Sequence, residues 1–527
     1  MENMDWSVVR LATYAFFAFL AVGFLVWSHR FWATKFTLAG IHRKKLPDPD
    51  ELGGPRLMAV LTAWDLTFLG VGAIIGTGIF VLTGIAAATQ AGPAVVLAFV
   101  VSGTACAFAA FSYAELSASV GGCGSAYGYS YAAFGEFIAW IIGWDLLLEY
   151  GVSVAAVANG WSGYFNRGLS GITQALHTRF GMNIDLTLPL ALTKGPFALD
   201  SVTGAPSPGI VNLPAVVIIL TLMFLLIAGV KQSARFNAVM VFIKLLTICV
   251  FVSVAIFHID MGNWKDFMPY GWFSVTSDGK TVGILAAASL VFFAYVGFDA
   301  VSTAVEEAKD PKRDVPIGIL ASLAICTVIY MVVSGLLTGI VNYKTLNTAS
   351  PVADALQALG YNWASALVAT GVITGLTTVM LVLYYGLTRI ILAMSRDGLL
   401  PTMLGTVSQK THTPVKTTVI CGIVMAIMAG FIPLGTLAEL VNVGTLAAFV
   451  LVCGGVIMLR VNKPKLKRPF EAPGGLVIPV LGILSCGALI AFLPLVTQVR
   501  FIVWLLVGLI IYFEYSVRHS RLAPKKA

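Results

Sequence analysis

The sequence predicts an all-α polytopic membrane protein with twelve core transmembrane helices arranged as a five-plus-five inverted repeat. Three observations support this prediction. Of the 527 residues, 58% are hydrophobic and 11% are charged, whereas soluble domains carry charge on roughly 25% of their residues. Twelve apolar segments are long enough to cross a bilayer. Two of these segments, five apart in the series, are interrupted by glycine at mid-depth.

The composition excludes several other classes of protein. Intrinsic disorder requires low hydrophobicity and high net charge, and this chain has the opposite character. The 7 Cys are scattered, and no CxxC or Cys/His pair indicates a metal or redox site. The net charge of +8 reflects Lys and Arg residues in the loops of a membrane protein, so it does not indicate nucleic-acid binding. The sequence predicts no cofactor.

A helix needs about 20 apolar residues to cross the hydrocarbon core of a bilayer. We number the twelve segments that meet this requirement as spans 1–12. In chain order they lie near residues 63–88, 93–118, 132–165, 211–230, 235–257, 281–304, 316–341, 362–394, 416–433, 436–459, 476–496 and 500–517.

The basic residues concentrate on one side of this predicted bundle. Those on the richer side are Arg30, Lys35, Arg43, Lys44, Lys45, Arg56, Lys231, Arg235, Lys309, Lys312, Arg313, Arg396, Lys410, Lys416, Arg460, Lys463, Lys465, Lys467, Arg468, Arg518, Arg521, Lys525 and Lys526. The opposite side holds Arg10, Arg167, Arg179, Lys194, Lys265, Lys280, Lys344 and Arg500. Because Lys and Arg mark cytoplasmic loops, both ends of the core are predicted to face the cytoplasm from a cell (inner) membrane.

Residues 11–27, LATYAFFAFLAVGFLVW, form a separate apolar run before span 1. A signal peptide would end in a small-residue cleavage site, but here the run is followed by Ser28, His29 and Arg30. We predict an extra helix with its N-terminus outside. A helix on the membrane surface and an overextended start codon are the alternatives. The long segment at 166–210, with its GAPSPG tract, is predicted to be an external loop without a catalytic role.

Span 1 contains four glycines, Gly70, Gly72, Gly76 and Gly78, in GVGAIIGTGIF. Glycine is costly inside a helix because of its backbone freedom. The run therefore indicates either a break in the helix or close packing through the GxxxG of Gly72 and Gly76.

Span 6 favours a break, because its middle reads FAYVGFD with Gly297 and Asp299 at mid-depth. Transporters built from inverted repeats place broken helices at matching positions of their two halves, with the substrate between them. We therefore predict a transport core at 61–460, with repeats at 61–258 and 281–460. Residues 1–60 form an N-terminal extension with a basic linker, and residues 461–527 add two helices and a basic tail.

Two broken helices provide both kinds of partial charge that a zwitterionic α-amino acid needs. The N–H groups that start the second half-helix lie at its positive end and attract a carboxylate, while the freed carbonyls attract an ammonium group. The predicted substrate-binding residues are Gly76, Thr77 and Gly78 for the carboxylate, and Ile74, Phe293, Ala294 and Val296 for the ammonium group.

Lys244 lies nine residues after Arg235 in span 5, about 13.5 Å along a helix, which places it near the middle of the bilayer. Snorkelling of the side chain to the surface works best near helix ends. Burial there disfavours the charged form. Lys244 is therefore predicted to lose and regain a proton and so to couple protons to transport.

Five other charged positions in the spans have less specific predictions. Asp145 and Glu149 are four residues apart on one face of span 3. Glu149, the deeper of the two, is predicted either to take part in proton transfer or to favour a cationic substrate side chain; a structural acid bonded to Tyr or Ser is the alternative. Glu115 is predicted at an interface or gate, and Arg389 and Arg396 as anchors or inner-gate partners.

Several stretches of the sequence resemble one known group of proteins. These stretches are LGVGAIIGTGIFVLTG, GPAVVLAFVVSG, GWDLLLEYG, FFAYVGFDAVSTAVEEAKDPKRDVP and TRIILAMSRDGLLP. They resemble the amino acid–polyamine–organocation superfamily, and more narrowly its bacterial permeases that are similar to cationic amino-acid transporters. The resemblance covers roughly residues 60–515 and does not include the N-terminal extension.

The resemblance implies a LeuT-type fold and alternating access. It implies that the backbone at Ile74, Thr77, Gly78, Phe293, Ala294 and Val296 holds the main-chain groups of the substrate. In sodium-independent members a lysine on the fifth helix occupies the place of a sodium ion and couples protons, and Lys244 matches that lysine. Glu149 matches an acidic position on the third helix, and Phe293 is expected to act as an aromatic gate.

The sequence thus predicts a secondary active transporter, not an enzyme, that brings L-amino acids into the cytoplasm together with protons. An exchanger of amino acids or polyamines is the nearest alternative, and a channel or nutrient receptor is a more distant one. No nucleophile–base pair, metal cluster or phosphate loop in the sequence favours an enzyme. Cationic and small neutral amino acids both stay open as substrates, as does a small membrane-protein partner.

Overall fold

The computed structural model describes residues 61–120, 126–198, 209–229, 234–276, 279–409, 411 and 413–522. These residues are mainly helical, and one short antiparallel ribbon pairs Ser274–Val275 with Thr281–Val282. The predicted all-α class is confirmed. The N-terminal extension at 1–60, including the apolar run at 11–27, lies outside the described residues.

Eight helices in the described part of the chain are long and apolar enough to cross a membrane, by length and composition. One of these runs, Gly78–Ser119, has 42 residues, which as a single straight helix would be about 63 Å long, roughly twice the hydrocarbon thickness. Within this run the chain turns at Gly92, where φ is +62°, just before Pro93. The run therefore supplies the second half of span 1 and the whole of span 2.

The helices match the predicted spans. Span 1 comprises Ala63–Ile74, Gly78–Leu82, Thr83–Ala86 and Ala87–Ala91, and span 6 comprises Ile284–Val291, Phe292–Tyr295 and Phe298–Glu307. The other spans are Val95–Val120, Glu136–Phe180, Leu213–Ile227, Ala234–Ala255, Pro311–Ile340, Asn362–Arg396, Val415–Phe431, Leu434–Asn462, Val477–Phe492 and Leu495–Ile511, the last continued by Tyr512–Ser516 and Val517–His519. Short helices between spans are Gly92–Ala94, Ala126–Ala133, Leu190–Leu192, Met261–Trp264, Tyr343–Thr345, Pro351–Ala358 and Thr402–Gly405.

The prediction of a loop from residue 166 is wrong for its first third, because span 3 continues as helix to Phe180. The helix ends at Gly181, where φ is +64° and the N–H donates to the His177 carbonyl at 3.2 Å. The next N–H, that of Met182, donates back to Leu176 at 3.2 Å. This is the usual way in which glycine terminates a helix, and Gly181 lies sixteen residues beyond the predicted end of the apolar segment at residue 165.

The packing of the spans follows the predicted repeat. Span 3 packs along span 8, span 2 along span 7, and span 4 against span 9, while spans 1 and 6 meet at their interrupted centres. Each of these pairs joins spans that are five apart in sequence. Spans 11 and 12 pack on the outside, chiefly against spans 10 and 2 for span 11 and spans 10 and 3 for span 12. The five-plus-five arrangement with two added helices accounts for these pairs.

The end of the bundle that carries Arg396, Arg460, Lys463 and Arg518, here named the basic end, is closed by the C-terminal segment. Glu136, at the start of span 3, is fully buried and accepts hydrogen bonds from Ser520 at 2.5 Å and Tyr131 at 3.1 Å. The end of span 12 is also tied to the chain just after span 8, because the Ser516 hydroxyl donates to the Leu399 carbonyl at 2.7 Å. The chain after span 12 is thereby fastened to the repeat core.

Candidate functional site

Span 1 is interrupted at the position that its glycines predict. The helix starts with a reciprocal cap between Thr62 and Asp65, and it ends at Ile74. Ile75 then adopts an extended conformation, with φ −71° and ψ 104°, before helical structure resumes at Gly78. The carbonyls that end the first half and the N–H groups that start the second half lack intrahelical partners, as at any helix terminus.

Span 6 is interrupted at Gly297, whose φ of +116° is accessible mainly to glycine. The first half-helix tightens into a 3₁₀ turn at Phe292–Tyr295, and Val296 is extended, with φ −58° and ψ 129°. The chain then enters a second helical segment, where the Ala300 N–H donates to the Gly297 carbonyl at 3.1 Å. The predicted second interruption therefore lies one residue beyond Val296.

The two interruptions face each other across a contact that only small residues permit. A side-chain carbon added to Gly78 would collide with the backbone of Ala294, and one added to Gly297 would lie 3.1 Å from the Ala73 carbonyl oxygen. The structure therefore brings together the predicted residues of span 1 and span 6.

The space beside Gly76 is open, in contrast to the filled space beside Gly78. A carbon added to Gly76 would come no closer than 3.9 Å to the Ile74 oxygen and to Val379 of span 8. Next to it, the Thr77 hydroxyl is fully buried and has no hydrogen-bond partner among the described residues. A ligand oxygen that approached Gly76 would therefore find unused donors within reach.

A residue that the sequence analysis missed, Tyr330 of span 7, bridges the two interruptions. Its hydroxyl lies 2.9 Å from the Ile74 carbonyl oxygen and 2.8 Å from that of Ala294. A hydroxyl carries one proton, so it donates to one carbonyl at a time, and each carbonyl keeps a second lone pair. The third predicted carbonyl, that of Phe293, accepts the Val296 N–H at 3.3 Å. A tyrosine inside an apolar helix gives no sequence signal of such a position.

Lys244 is buried, with 2% of its surface exposed. Its Nζ donates to the Gly72 carbonyl at 2.6 Å, close to the end of the first half-helix of span 1. Gly375 of span 8 lies against its methylene chain, where a side-chain carbon would come within 2.8 Å. No acidic side chain in the described part of the chain forms an ion pair with Lys244. The negative end of the half-helix dipole takes the place of such a partner.

Three buried carboxyl groups lie between spans 3, 6 and 10, on the basic-end side of the interruptions. Asp145, Glu149 and Asp299 are at most 5% exposed, and Glu149 lies within electrostatic range of the other two. One oxygen of Asp145 and one of Asp299 lack a hydrogen-bond partner among the described residues. Glu149 therefore belongs to a group of acids and does not contact Lys244 by an ion pair.

The remaining charged residues that the sequence singled out lie outside this centre. Glu115 pairs with Arg460, with Nη2 to Oε2 at 2.5 Å and Nε to Oε1 at 2.9 Å, at the basic end. Arg389 stacks over the ring of Tyr385 at 4.7 Å, and Arg396 is exposed. Glu115 is thus an interface residue, as one of its two interpretations proposed.

Comparison with known proteins gives a consistent set of similarities. Residues 61–513 match a family model described as amino acid permease. The chain is 48% identical over 471 residues to the branched-chain amino acid permease BcaP of Bacillus subtilis, covering 89% of this chain and 96% of that protein. It is 46% identical over 469 residues to the methylthioribose transporter of the same organism, covering 88% and 95%. It is 37% identical over 414 residues to the vacuolar cationic amino acid transporter 4 of Arabidopsis thaliana, covering 78% and 65%.

Proposed function

The chain belongs to the amino acid permease family, and from that premise we propose that it carries L-amino acids into the cytoplasm together with protons. It is a multi-pass membrane protein of a family of amino acid transporters. The proposal adds a binding mode, a coupling residue and a direction to that family assignment.

The contact between the two interrupted helices is the observation that supports the binding mode. Free N–H groups at Gly76, Thr77 and Gly78 would bind the substrate carboxylate at the positive end of a half-helix. The carbonyls of Ile74, Ala294 and neighbouring residues would accept hydrogen bonds from its ammonium group. The Tyr330 hydroxyl lies within hydrogen-bond distance of the Ile74 and Ala294 carbonyls and donates to one of them at a time, so it would help to hold both interruptions in place for the substrate.

The two remaining predicted residues of this site are Phe293 and Val296. Their backbone carbonyls would complete the set that binds the ammonium group, and the ring of Phe293 would close over the substrate. Both side chains are less than a tenth exposed. Val379 faces the open side of Gly76, so we infer that it contacts the substrate near its α-carbon.

The coupling proposal rests on the contact between Lys244 and Gly72. A protonated Lys244 is attracted by the carbonyl end of the half-helix and ties span 5 to span 1. Loss of the proton would remove that attraction and free the two spans to move relative to each other. Glu149, with Asp145 and Asp299, would provide proton-accepting groups on the basic-end side of the same centre.

The direction of transport follows from the distribution of charge. The basic end would face the cytoplasm because Lys and Arg are retained there during insertion. Substrate and proton would then enter from the opposite end and leave past the carboxyl groups of spans 3 and 6.

A competition experiment tests the binding mode. In proteoliposomes, uptake of a labelled branched-chain amino acid is measured against all common L-amino acids, methylthioribose, and analogues that lack one main-chain group. We expect that the α-keto acid and the amine derived from the best substrate compete at least about 100-fold more weakly, because a buried donor or acceptor is then left unpaired.

Methylthioribose provides the sharpest contrast in this experiment, since it has neither a carboxylate nor an ammonium group. Strong competition by methylthioribose, or equal competition by the keto acid and the intact amino acid, would contradict a site that recognises the zwitterion. D-enantiomers of the same amino acids serve as a further control, because they carry both charges in a different arrangement.

A further inference from the structure

The segment at 343–358, here named the lid segment, covers the second half of span 1 at the end opposite the basic end. It contains the helices Tyr343–Thr345 and Pro351–Ala358. A side-chain carbon added to Gly84 of span 1 would lie 2.6 Å from Pro351 and close to the Leu346 oxygen. The lid segment is therefore in direct contact with the half-helix that leads away from the candidate site.

The same segment also rests on span 3. A carbon added to Gly163 would lie 2.7 Å from the Ala349 side chain. One residue further on, the hydroxyl of Tyr164 donates to the Phe80 carbonyl of span 1 at 2.8 Å. Spans 1 and 3 and the lid segment thus meet at one place, and opening a path to the site from this end requires that they separate.

Among the described residues, one ion pair crosses this meeting place. Arg167 of span 3 has its Nε 3.1 Å from an oxygen of Asp354 in the lid segment, although that N–H is not aligned for a hydrogen bond. Its Nη2 donates to Gln357 of the same helix. The side chains of Arg167 and Asp354 are 17% and 34% exposed, so water screens the pair only in part.

Hydrogen bonds within the lid segment orient the carboxylate of Asp354 independently of Arg167. The hydroxyls of Thr348 and Ser350 donate to its Oδ2 at 2.7 and 3.0 Å, at the start of the Pro351–Ala358 helix. The other oxygen, Oδ1, faces Arg167. These two hydrogen bonds therefore leave the other carboxylate oxygen facing span 3.

We propose that Arg167 and Asp354 form a latch that holds the lid segment closed over span 1, and that this ion pair must break when the path opens at the end opposite the basic end. The latch itself is a property of the closed structure. Only the interpretation of its opening as a step of substrate transport rests on the proposed function.

Amide hydrogen exchange in the full-length protein in liposomes tests the latch without any substrate. In Arg167→Gln we expect the lid segment to exchange about three- to ten-fold faster than in the unmodified protein, the effect of losing a partly buried pair and its hydrogen bond. Asp354→Asn is expected to give a similar increase. The double variant should exchange no faster than either single variant, because both remove one interaction.

Lys280→Gln is the matched control, because it removes one exposed positive charge from the same end without touching the lid segment. Unchanged lid exchange in Arg167→Gln would overturn the proposal, as would an equal increase in Lys280→Gln or fully additive effects of the two latch variants.

As a second measurement, Val352→Cys, at a fully buried position of the lid helix, is labelled with a membrane-impermeant thiol reagent. We expect faster labelling in the Arg167→Gln background. Since neither readout needs transport, a failed latch is distinguishable from a failed transport assignment.

Discussion

Lys244→Ala is expected to abolish the stimulation of amino acid uptake by a proton gradient. The substitution removes the only described hydrogen bond between span 5 and the end of the first half-helix, from Nζ to the Gly72 carbonyl, together with the group that gains and loses the proton. We expect gradient-driven uptake in proteoliposomes to fall by about 100-fold, the order of magnitude seen when a proton-transferring side chain is lost.

Two companion measurements isolate the role of the proton. Lys244→Gln keeps a hydrogen-bond donor near Gly72 but cannot change its charge between pH 5 and 9, so we expect it to lose gradient stimulation as Lys244→Ala does. Exchange of labelled for unlabelled amino acid, with no gradient, should persist in Lys244→Gln if the fold is intact. Undiminished gradient-driven uptake in either variant would show that Lys244 does not couple protons.

Gly78→Ala is expected to eliminate transport by steric overlap between the two interrupted helices. The added carbon would overlap the Ala294 backbone, so the two interrupted helices could meet only if one of them moved. Overpacking of this kind typically costs about 1–3 kcal/mol, and the displacement falls on the backbone groups proposed to bind substrate. We expect uptake to fall by about 100-fold, because a displacement of roughly 1 Å at a site can have that effect.

Gly171→Ala provides the matched control for this prediction. Gly171 lies in the helix Glu136–Phe180, and nothing lies within 4 Å of a carbon added there. Alanine is favoured over glycine in a helix interior by about 1 kcal/mol, so this variant should transport normally and be at least as stable to heat. Normal transport by Gly78→Ala would contradict a tight contact between spans 1 and 6 during the cycle.

The parts of the structure that local sequence patterns determine were predictable. Gly297 predicted the interruption of span 6, where its φ of +116° is one that glycine tolerates. The glycines of span 1 predicted the interruption there as well, although the extended residue is Ile75 and the role of Gly78 is its close contact with Ala294. The depth of Lys244 followed from its distance along one helix. Burial of Lys244 was therefore predictable, whereas its contact with the Gly72 carbonyl depends on how spans 1 and 5 pack.

The contacts that join distant parts of the chain were not predictable from one sequence. Tyr330 reaches the Ile74 carbonyl across 256 positions, and Ser520 reaches Glu136 across 384. Arg167 reads as a loop arginine, since nothing near it in sequence identifies Asp354 as its partner. Such pairs are set by the mutual orientation of the helices, which a pattern of apolar residues leaves undetermined.

Accumulation of an amino acid by the unmodified protein, in proteoliposomes that contain no amino acid, is the most direct test of the account. The lumen is buffered at a higher pH than the outside, and a protonophore is added in a parallel sample. We predict accumulation of the labelled substrate above its external concentration, and collapse of that accumulation when the protonophore is added. Uptake that requires an internal amino acid and ignores the pH gradient would contradict proton symport and would identify an exchanger.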